Sequence, residues 1–360
     1  MSDNEELREL RELIDEVDDR LVTLFNQRVS LARKVGDVKR AAGEAVVYRP
    51  EREARILQHV RDVSSGDIGE ESLLLLFREL ISACRGSESL TRVAVLGPEG
   101  TYSQAAAIKH FGHQIETVCA VSIEDVFRVV ETCESDYGVV PVENSTEGGV
   151  SNTLDALLAS SAVICGEVNL PVRHCLLSRS TKLEEVTEVL AHAQALGQCR
   201  RWLASHLPGV PLRTVASNAE AARLATKNPA RAAIAGERVA ELYELNILKS
   251  GIQDVSENTT RFLVVGAHPV GASGRDKTSI VLSARNRPGA LFDLLQPLAR
   301  YDIDMTRIES RPAHSGLWEY LFYVDIAGHR EQPVVATALR ELEGNAALFK
   351  LLGSYPMAVD

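Results

Sequence analysis

The sequence of 360 residues has few cysteines and no long apolar run. Its 6 cysteines form no Cys-x-x-Cys pair and no histidine stands at metal-ligand spacing, which predicts free thiols in a reducing compartment and no structural metal. No apolar stretch approaches the roughly 20 residues of a membrane-spanning helix. Since the acidic, helix-like start MSDNEELREL also differs from a secretory signal, we expect a cytoplasmic protein.

Positive charge is scarce as well, with 39 Lys and Arg against 50 Asp and Glu and a formal net charge of −11. This excess of negative charge disfavours nonspecific binding to nucleic acid or to anionic lipid. An anionic substrate must therefore be held by cations that are concentrated locally. The length and the 45% of hydrophobic residues are typical of a soluble globular protein with two or three domains.

The first segment has the pattern of helices. Apolar residues recur at helical spacing between residues 5 and 42, and two further helices are predicted at about 50–63 and 68–84. The first helix would be roughly 57 Å long, and two shorter helices cannot cover it. We therefore expect an intertwined homodimer in which two copies bury the apolar stripe. The stripe consists of Leu7, Leu10, Ile14, Val17, Leu21, Leu24, Leu31, Val35 and Val38.

The rest of the chain changes character twice. From Val93 to the stretch RFLVVG, short apolar strands alternate with alanine-rich helices, which predicts an α/β architecture with a mostly parallel sheet. A linker rich in Gly and Pro follows at residues 266–277. The order strand, helix, strand, strand, helix, strand then predicts an α+β (βαββαβ) sandwich of about 80 residues on an antiparallel sheet.

Three basic residues of the first helix are candidates for binding an anion. Arg28 and Lys39 face one side of the helix about 16 Å apart, so their side chains could converge on one dianion. Arg11 lies about 25 Å from Arg28 along the axis and would reach the same ligand only from a partner chain. The alternative is that all three are solvated charges on an exposed face.

The stretches LRELIDEVDDRLVTLFNQRVSLARKVGDVK and RPEREARIL resemble the all-helical chorismate mutase domain of the bifunctional chorismate mutase/prephenate dehydratases, the P-proteins. The resemblance implies that Arg11 of one chain and Arg28 of the other clamp the substrate carboxylates, while Lys39 donates to the ether oxygen. The rearrangement of chorismate to prephenate needs no cofactor, only a compact conformer and donors where the breaking C–O bond gathers negative charge. The other implied residues are Arg52, a supporting cation; Glu53, which accepts from the substrate hydroxyl; and Glu88, which donates to the ether oxygen only when protonated, so that mutase activity should fall with rising pH.

Ordered motifs in the middle segment resemble the prephenate dehydratase domain of the same family, which has two α/β lobes with a cleft between them. They are GPEGTYSQAA, VPVENSTEGGV, NLPVRHCLL, AHAQALGQC, SNAEAA and NTTRF. Prephenate loses carbon dioxide and its ring hydroxyl together, so the protein must hold carboxylates and help hydroxide to leave. The resemblance implies that Thr260 is the essential threonine, which bonds the departing oxygen, that Arg261 binds a substrate carboxylate and that Phe262 is a wall of the pocket. Further donors are expected from Thr101, Ser103, Asn144 and Ser145.

One departure from the family pattern concerns His192. The family has Ser and Pro around this histidine, where the chain has Ala191 and Ala193, and Asn218 stands where Thr is usual. His192 is therefore either a site residue or a packed loop histidine.

The C-terminal stretches ARNRPGALFDLL and MTRIESRP resemble the two signatures of the phenylalanine-binding ACT domain. Pro288 and Gly289 suit a strand-to-helix turn, and a helix N-terminus at Ala290 favours a carboxylate. The resemblance implies feedback inhibition by phenylalanine, which must then bind two conformations unequally. The alternative is an ordinary α+β dimerisation module. The predicted allosteric residues are Asn286, Pro288, Gly289, Ala290, Leu291, Glu309, Ser310 and Arg311.

These patterns together predict a multi-domain chain with an all-α mutase domain at 1–90, a two-lobed α/β dehydratase domain at 91–267 and an ACT domain at 277–357. The predicted enzyme converts chorismate to prephenate as an isomerase and prephenate to phenylpyruvate as a carbon–oxygen lyase, without a cofactor. Two alternatives stay open: a non-catalytic regulator that senses amino acids, and an enzyme with only one active domain.

Overall fold

The structure, a computed structural model, describes residues 3–43, 48–284, 287–312 and 320–359. These residues divide into two compact units. The first contains the described part of 1–49 together with 56–91 and 111–116, and the second contains 50–55, 92–110 and the described part of 117–360. Among the described residues, we find no helix with the length and apolar content needed to cross a membrane.

The helices predicted for the first segment are confirmed as α1 (Asp3–Ala41), α2 (Pro50–Val63) and α3 (Glu70–Gly86). Pro50 lies in the first turn of α2, where a missing N–H leaves no helical bond unmade. In the first unit α1 packs against α3. Most of the apolar stripe of α1 nevertheless stays exposed in the single chain, with Ile14 at 58% and Val38 at 71% of their full accessibility.

The middle segment alternates strands and helices, as predicted. Its helices are α4 (Tyr102–Phe111), α5 (Ile123–Glu131), α6 (Ser151–Ala159), α7 (Ala193–Gln198), α8 (Arg200–His206), α9 (Asn218–Ala225) and α10 (Glu237–Leu242). Its strands are β1 (Thr91–Leu96), β2 (Ile115–Ala120), β3 (Tyr137–Asn144), β4 (Gly148–Gly149), β5 (Val163–Pro171), β6 (Cys175–Ser178), β7 (Glu188–Ala191), β8 (Leu212–Thr214), β9 (Arg231–Ala235), β10 (Asn246–Ser250) and β11 (Thr259–Gly266).

These strands form two sheets, one ordered β2-β1-β3-β11-β5 with β4 beside β3, the other ordered β10-β6-β9-β7-β8. The expectation of a mostly parallel sheet is wrong. Although β1 and β3 are parallel, β11 runs antiparallel to both β3 and β5, and β6 runs antiparallel to β10 and β9. The chain leaves the first sheet after β5 and returns to it only at β11, so no short helical crossover fixes the direction of β11.

The C-terminal segment has the predicted βαββαβ order: β12 (Asp276–Ser283), α11 (Ala290–Arg300), β13 (Met305–Pro312), β14 (Tyr320–Ala327), α12 (Pro333–Asn345) and β15 (Leu348–Pro356). Its antiparallel sheet, ordered β13-β14-β12-β15, carries α11 and α12 on one face. The other face packs on the first sheet, where Tyr323 and Leu352 share a core with Val142 and Leu154. The two sheets approach each other closely at Gly353, where a Cβ would stand 2.8 Å from the backbone N of Ile164.

Candidate active sites

In the helical unit, two predicted mutase residues lie against the C-terminal end of α3. Arg28 donates a hydrogen bond of 2.8 Å to Sγ of the buried Cys84. Glu88, just beyond α3, contacts α1 at Gly36, where a Cβ would stand 2.5 Å from Glu88 Oε2. A side chain at position 36 would therefore push Glu88 away, and glycine is what permits this contact.

The other predicted mutase residues are distributed along α1 and α2. Arg11 is exposed near the start of α1, and Lys39 is half-buried in its last turn. Arg52 and Glu53 belong to the first turns of α2. Within the part of the chain that the structure describes, Arg11 and Lys39 have no ion-pair partner, so both cations are available to an anion.

Thr260 and Asn144 are the predicted dehydratase residues that the structure brings into contact. They are cross-strand partners on β11 and β3, both are buried, and Asn144 Nδ2 donates to Thr260 Oγ1 over 2.8 Å. The second Nδ2 hydrogen goes to Asn258 Oδ1 at 2.9 Å, so the amide nitrogen can only donate. Thr260 oxygen must therefore accept. Its own O–H proton is donated to no group among the described residues.

Four side chains close a ring in which each donates to the next, and we call it the amide ring. Asn144 donates to Asn258, Asn258 Nδ2 to Gln198 Oε1 at 3.1 Å, Gln198 Nε2 to Thr146 Oγ1 at 3.3 Å, and Thr146 Oγ1 to Asn144 Oδ1 at 2.6 Å. A closed and satisfied ring holds every amide in one orientation. Since Asn144 ends β3 and Gln198 ends α7 beside the second sheet, the ring joins the two lobes.

A buried histidine supports the amide ring from the second lobe. His174 Nε2 lies 2.8 Å from Gln198 Oε1, and His174 Nδ1 lies 3.2 Å from the Tyr102 hydroxyl. Burial lowers the pKa of His174, and the bond to Gln198 opposes this only in part. The neutral imidazole is therefore favoured, with its proton on Nε2 facing the Gln198 oxygen. Burial also raises the pKa of Tyr102, which keeps its hydroxyl proton.

The other predicted donors lie outside the amide ring. Ser145 Oγ accepts from the backbone N of Thr259 at 3.0 Å and so ties the turn after β3 to β11. Thr101 Oγ1 donates to the carbonyl oxygen of Leu96 at 2.8 Å, at the start of α4, and Ser103 is buried on that helix. No hydrogen bond among the described residues links Thr101 or Ser103 to Thr260.

In the structure, His192 caps a helix and Phe262 is buried in a strand. His192 is exposed and caps α7, because its Nδ1 accepts from the backbone N of Gln194 at 3.4 Å. Asn218 contacts the same turn through its Oδ1, which accepts from the backbone N of His192 at 2.9 Å. Phe262 is 2% exposed within β11. Their roles at the site stay predictions.

Arg261 points away from Thr260, because consecutive residues of a strand face opposite sides of its sheet. Its Nε donates to Glu167 at 2.7 Å, its Nη1 to Asp325 at 2.6 Å and its Nη2 to the Tyr355 hydroxyl at 2.9 Å. These buried partners lie on β5, β14 and β15. The structure therefore does not bring Arg261 to the side of Thr260, as the motif led us to expect, and its role as a substrate ligand stays a prediction.

Comparison with known proteins identifies the families that the chain matches. The prephenate dehydratase family matches residues 93–270, the type II chorismate mutase family residues 10–89 and the ACT domain residues 278–344. The chain is 47% identical to a bifunctional chorismate mutase/prephenate dehydratase of Stutzerimonas stutzeri and 46% identical to one of Pseudomonas aeruginosa, in each case over 100% of both chains. The chain belongs to the family of bifunctional chorismate mutase/prephenate dehydratases. A solved prephenate dehydratase of Arthrobacter aurescens in complex with L-Phe is 32% identical, with a TM-score of 0.69 over 74% of this chain and 90% of that chain.

This bifunctional enzyme thus carries the three expected domains in order, and its candidate dehydratase site contains residues that sequence reasoning missed. These five residues, which support Thr260 and Asn144 directly or through one another, are Tyr102, Thr146, His174, Gln198 and Asn258. A signal was present for each, since all five fall inside motifs of the dehydratase resemblance. Each nevertheless has an ordinary local environment in the sequence, and only the fold brings the five together.

The first part of the predicted phenylalanine set lies at the N-terminus of α11 in the ACT domain. Pro288–Leu291 form this turn, in which Gly289 is left-handed with φ of 77°. Ala290 also lines a cavity of about 560 Å³ together with Arg287, Asp293 and Asn345. Asn286 lies outside the described residues.

The second part of that set lies on β13, against the dehydratase domain. Glu309 bonds Arg307 and sits next to Gly149 of β4. Arg311 Nη1 donates to Asp155 on α6 at 2.9 Å, and Ser310 is exposed. Within the described residues, no hydrogen bond or ion pair joins these residues to the turn at α11.

Proposed function

We propose that the helical domain converts chorismate to prephenate, that the two-lobed domain converts prephenate to phenylpyruvate, and that phenylalanine inhibits the second reaction through the ACT domain. The three domains are assigned to residues 1–90, 91–267 and 277–357. The observation that carries the dehydratase assignment is the Thr260–Asn144 pair: a buried hydroxyl whose oxygen accepts from a fixed amide and whose proton has no acceptor among the described residues.

In the dehydratase step, Thr260 gives a hydrogen bond from its O–H to the departing ring hydroxyl. Negative charge then grows on Oγ1, where the Asn144 N–H, already placed at 2.8 Å, stabilises it. Because the amide ring fixes Asn144, little reorganisation is needed as the C–O bond breaks. Loss of carbon dioxide supplies the electron pair that completes the aromatic ring. The proposed substrate contacts beyond Thr260 and Asn144 are Thr101, Ser103, Ser145 and Phe262. Arg261, predicted as a carboxylate ligand, lies on the opposite face of β11 and acts on this site only through its strand.

In the mutase step, cations hold the two carboxylates of chorismate so that the rearranging carbons stay close. Arg28 is fixed in place by Cys84, while Arg11 of a second copy completes the clamp. The exposed apolar stripe of α1 supports a homodimer, since it remains uncovered in one chain. Lys39 and the carboxyl group of Glu88 donate to the ether oxygen, and Arg52 and Glu53 contact the substrate from α2.

The regulatory part of the proposal assigns phenylalanine to the ACT domain, with contacts from Pro288–Leu291 and Glu309–Arg311. The cavity beside α11 supports this assignment because it offers the helix N-terminus to a carboxylate. A cytoplasmic location is also proposed, and the free thiols of all six cysteines support it.

Chorismate added to the purified protein tests the proposal, with prephenate and phenylpyruvate followed in the same reaction. Both products should form in sequence without an added cofactor. A protein that binds phenylalanine but forms neither product would be a sensor rather than an enzyme. Formation of prephenate alone would identify an enzyme whose dehydratase domain is inactive.

A further inference from the structure

Four charged side chains form a square between the dehydratase and ACT sheets, and we call them the charge quartet. Glu143 and Arg261 are cross-strand partners on β3 and β11, and Arg307 and Asp325 are cross-strand partners on β13 and β14. Arg261 Nη1 lies 2.6 Å from Asp325 Oδ2, and Arg307 Nε lies 2.9 Å from Glu143 Oε2. Arg261 Nη1 also lies 4.0 Å from Glu143 Oε2, so that each of these side chains has a side chain of opposite charge as its neighbour along the square.

The charge quartet lies directly behind the Thr260–Asn144 pair. Glu143 precedes Asn144 on β3, and Arg261 follows Thr260 on β11. Because side chains alternate between the faces of a sheet, Thr260 and Asn144 occupy one face while Glu143 and Arg261 occupy the other. Two adjacent cross-strand pairs of β3 and β11 thus carry the proposed catalytic residues on one face and the contacts to the ACT domain on the other.

Three of the four members of the charge quartet are largely buried. The side chains of Arg261, Arg307 and Asp325 are only 12%, 10% and 7% exposed. Asp325 accepts a further hydrogen bond of 2.5 Å from Ser279, so both of its carboxylate oxygens are fixed. Buried charges that are paired on several sides hold their partners in one register, because any slip would leave a charge unpaired in the core.

We propose that Asp325 and Arg307 of the ACT domain are positioning residues for the dehydratase reaction, which they serve by holding Arg261 and Glu143 and thereby setting the distance between Thr260 and Asn144. This inference rests on the proposed role of Thr260. The ACT domain is then part of the framework of the dehydratase site, in addition to being a place for an effector. Arg307 also bonds Glu309 of the predicted phenylalanine set, so a ligand that engages Glu309 changes a partner of the charge quartet.

The test compares Asp325→Asn and Glu143→Gln with Asp155→Asn in the full-length enzyme. Asp155 forms an ion pair with Arg311 that also joins the ACT and dehydratase domains, at 2.9 Å, but no member of that pair adjoins Thr260 or Asn144. The rates are measured with prephenate in the absence of phenylalanine, well below each variant's melting temperature, so that kcat refers to folded protein. The mutase rate of the same samples reports the amount of active enzyme.

Asp325→Asn and Glu143→Gln should each lower kcat about tenfold to a hundredfold with little change in KM, because a small displacement of a catalytic group costs rate rather than binding. Asp155→Asn should keep kcat within about twofold of the wild type. If Asp325→Asn does not fold, Glu143→Gln still tests the inference, since the Glu143 side chain is 40% exposed and the loss of its carboxylate is better tolerated. Quartet variants with the kcat of Asp155→Asn would overturn the inference, whereas a wild-type enzyme that forms no phenylpyruvate would overturn the proposed function itself.

Discussion

Replacing Gln198 by glutamate should break the amide ring with almost no change of shape. The introduced oxygen takes the place of Nε2, which donates to Thr146 Oγ1 at 3.3 Å and to Glu147 Oε1 at 3.1 Å. The Thr146 hydroxyl cannot donate its proton to the introduced carboxylate instead, because it already donates that proton to Asn144 Oδ1. Two donated bonds are therefore lost, and two carboxylates come to lie side by side.

The size of this effect follows from the bonds that are lost. A neutral hydrogen bond contributes about 0.5–1.5 kcal/mol and one to a charged group about 1.5–3 kcal/mol. The repulsion between the new carboxylate and Glu147 adds about 1 kcal/mol, the value for water, because Glu147 is exposed. We expect the dehydratase domain to lose about 3–5.5 kcal/mol of stability at neutral pH. We also expect kcat to fall at least tenfold, because Asn144 is no longer held toward Thr260.

The pH dependence makes the test specific. The neighbouring Glu147 and the partial burial disfavour ionisation of the introduced carboxyl, and its protonated form can donate again. Dehydratase activity of Gln198→Glu should thus recover as pH falls, relative to the wild type. The matched control is Gln194→Glu, which adds the same charge to the exposed face of α7. Phenylpyruvate formation from prephenate is measured across pH, and activity of Gln198→Glu within about twofold of the control at every pH would refute the role of the amide ring.

Three further predictions concern the mutase site and the buried histidine. The Arg11→Ala and Arg28→Ala proteins should each be inactive alone, but mixing them should restore about a quarter of the wild-type mutase rate after subunit exchange. One site in four then has both arginines, and no recovery would exclude a shared site. Glu88→Ala should lower the mutase rate, whereas Glu88→Gln should retain it because the amide can donate to the ether oxygen; equal rates of the two variants would remove Glu88 from the mechanism. Burial lowers the pKa of His174 below 6.5, so the unfolded chain binds the proton more tightly and stability should fall as pH drops through 6.5. The melting temperature of the wild type should therefore fall more steeply than that of His174→Gln between about pH 7 and 5, and equal slopes would contradict the assignment.

The sequence was informative where local pattern decides structure. Pro50 marks the start of α2, the 3.6-residue stripe marks α1, and the order of the C-terminal elements follows from their periodicity. Strand direction was not predictable in this way. The insertion of β11 between β3 and β5 depends on contacts across the whole dehydratase domain, which no local pattern encodes.

In the candidate site, too, the residues found from local sequence motifs differ from those that only the tertiary fold brings together. Thr260, Asn144 and Ser145 were predicted from motifs, and the fold brings their strands together. The motif AHAQALGQC drew attention to His192, which caps a helix on the surface, whereas Gln198 of the same motif and His174 of NLPVRHCLL were not predicted. For Arg261, adjacency in sequence suggested a role shared with Thr260. Because side chains alternate between the two faces of a strand, Arg261 instead lies on the face that meets the ACT domain.

The central claim is that one chain performs two separable reactions and that Thr260 belongs to the second alone. Its most direct test is a time course of chorismate conversion by the wild type, Thr260→Ala and Thr259→Ala, the last being a neighbouring threonine whose hydroxyl has no hydrogen-bond partner among the described residues. We expect prephenate to rise and then give way to phenylpyruvate with the wild type and Thr259→Ala, whereas Thr260→Ala should accumulate prephenate at the wild-type rate and form no phenylpyruvate. Undiminished phenylpyruvate formation by Thr260→Ala would contradict the central claim.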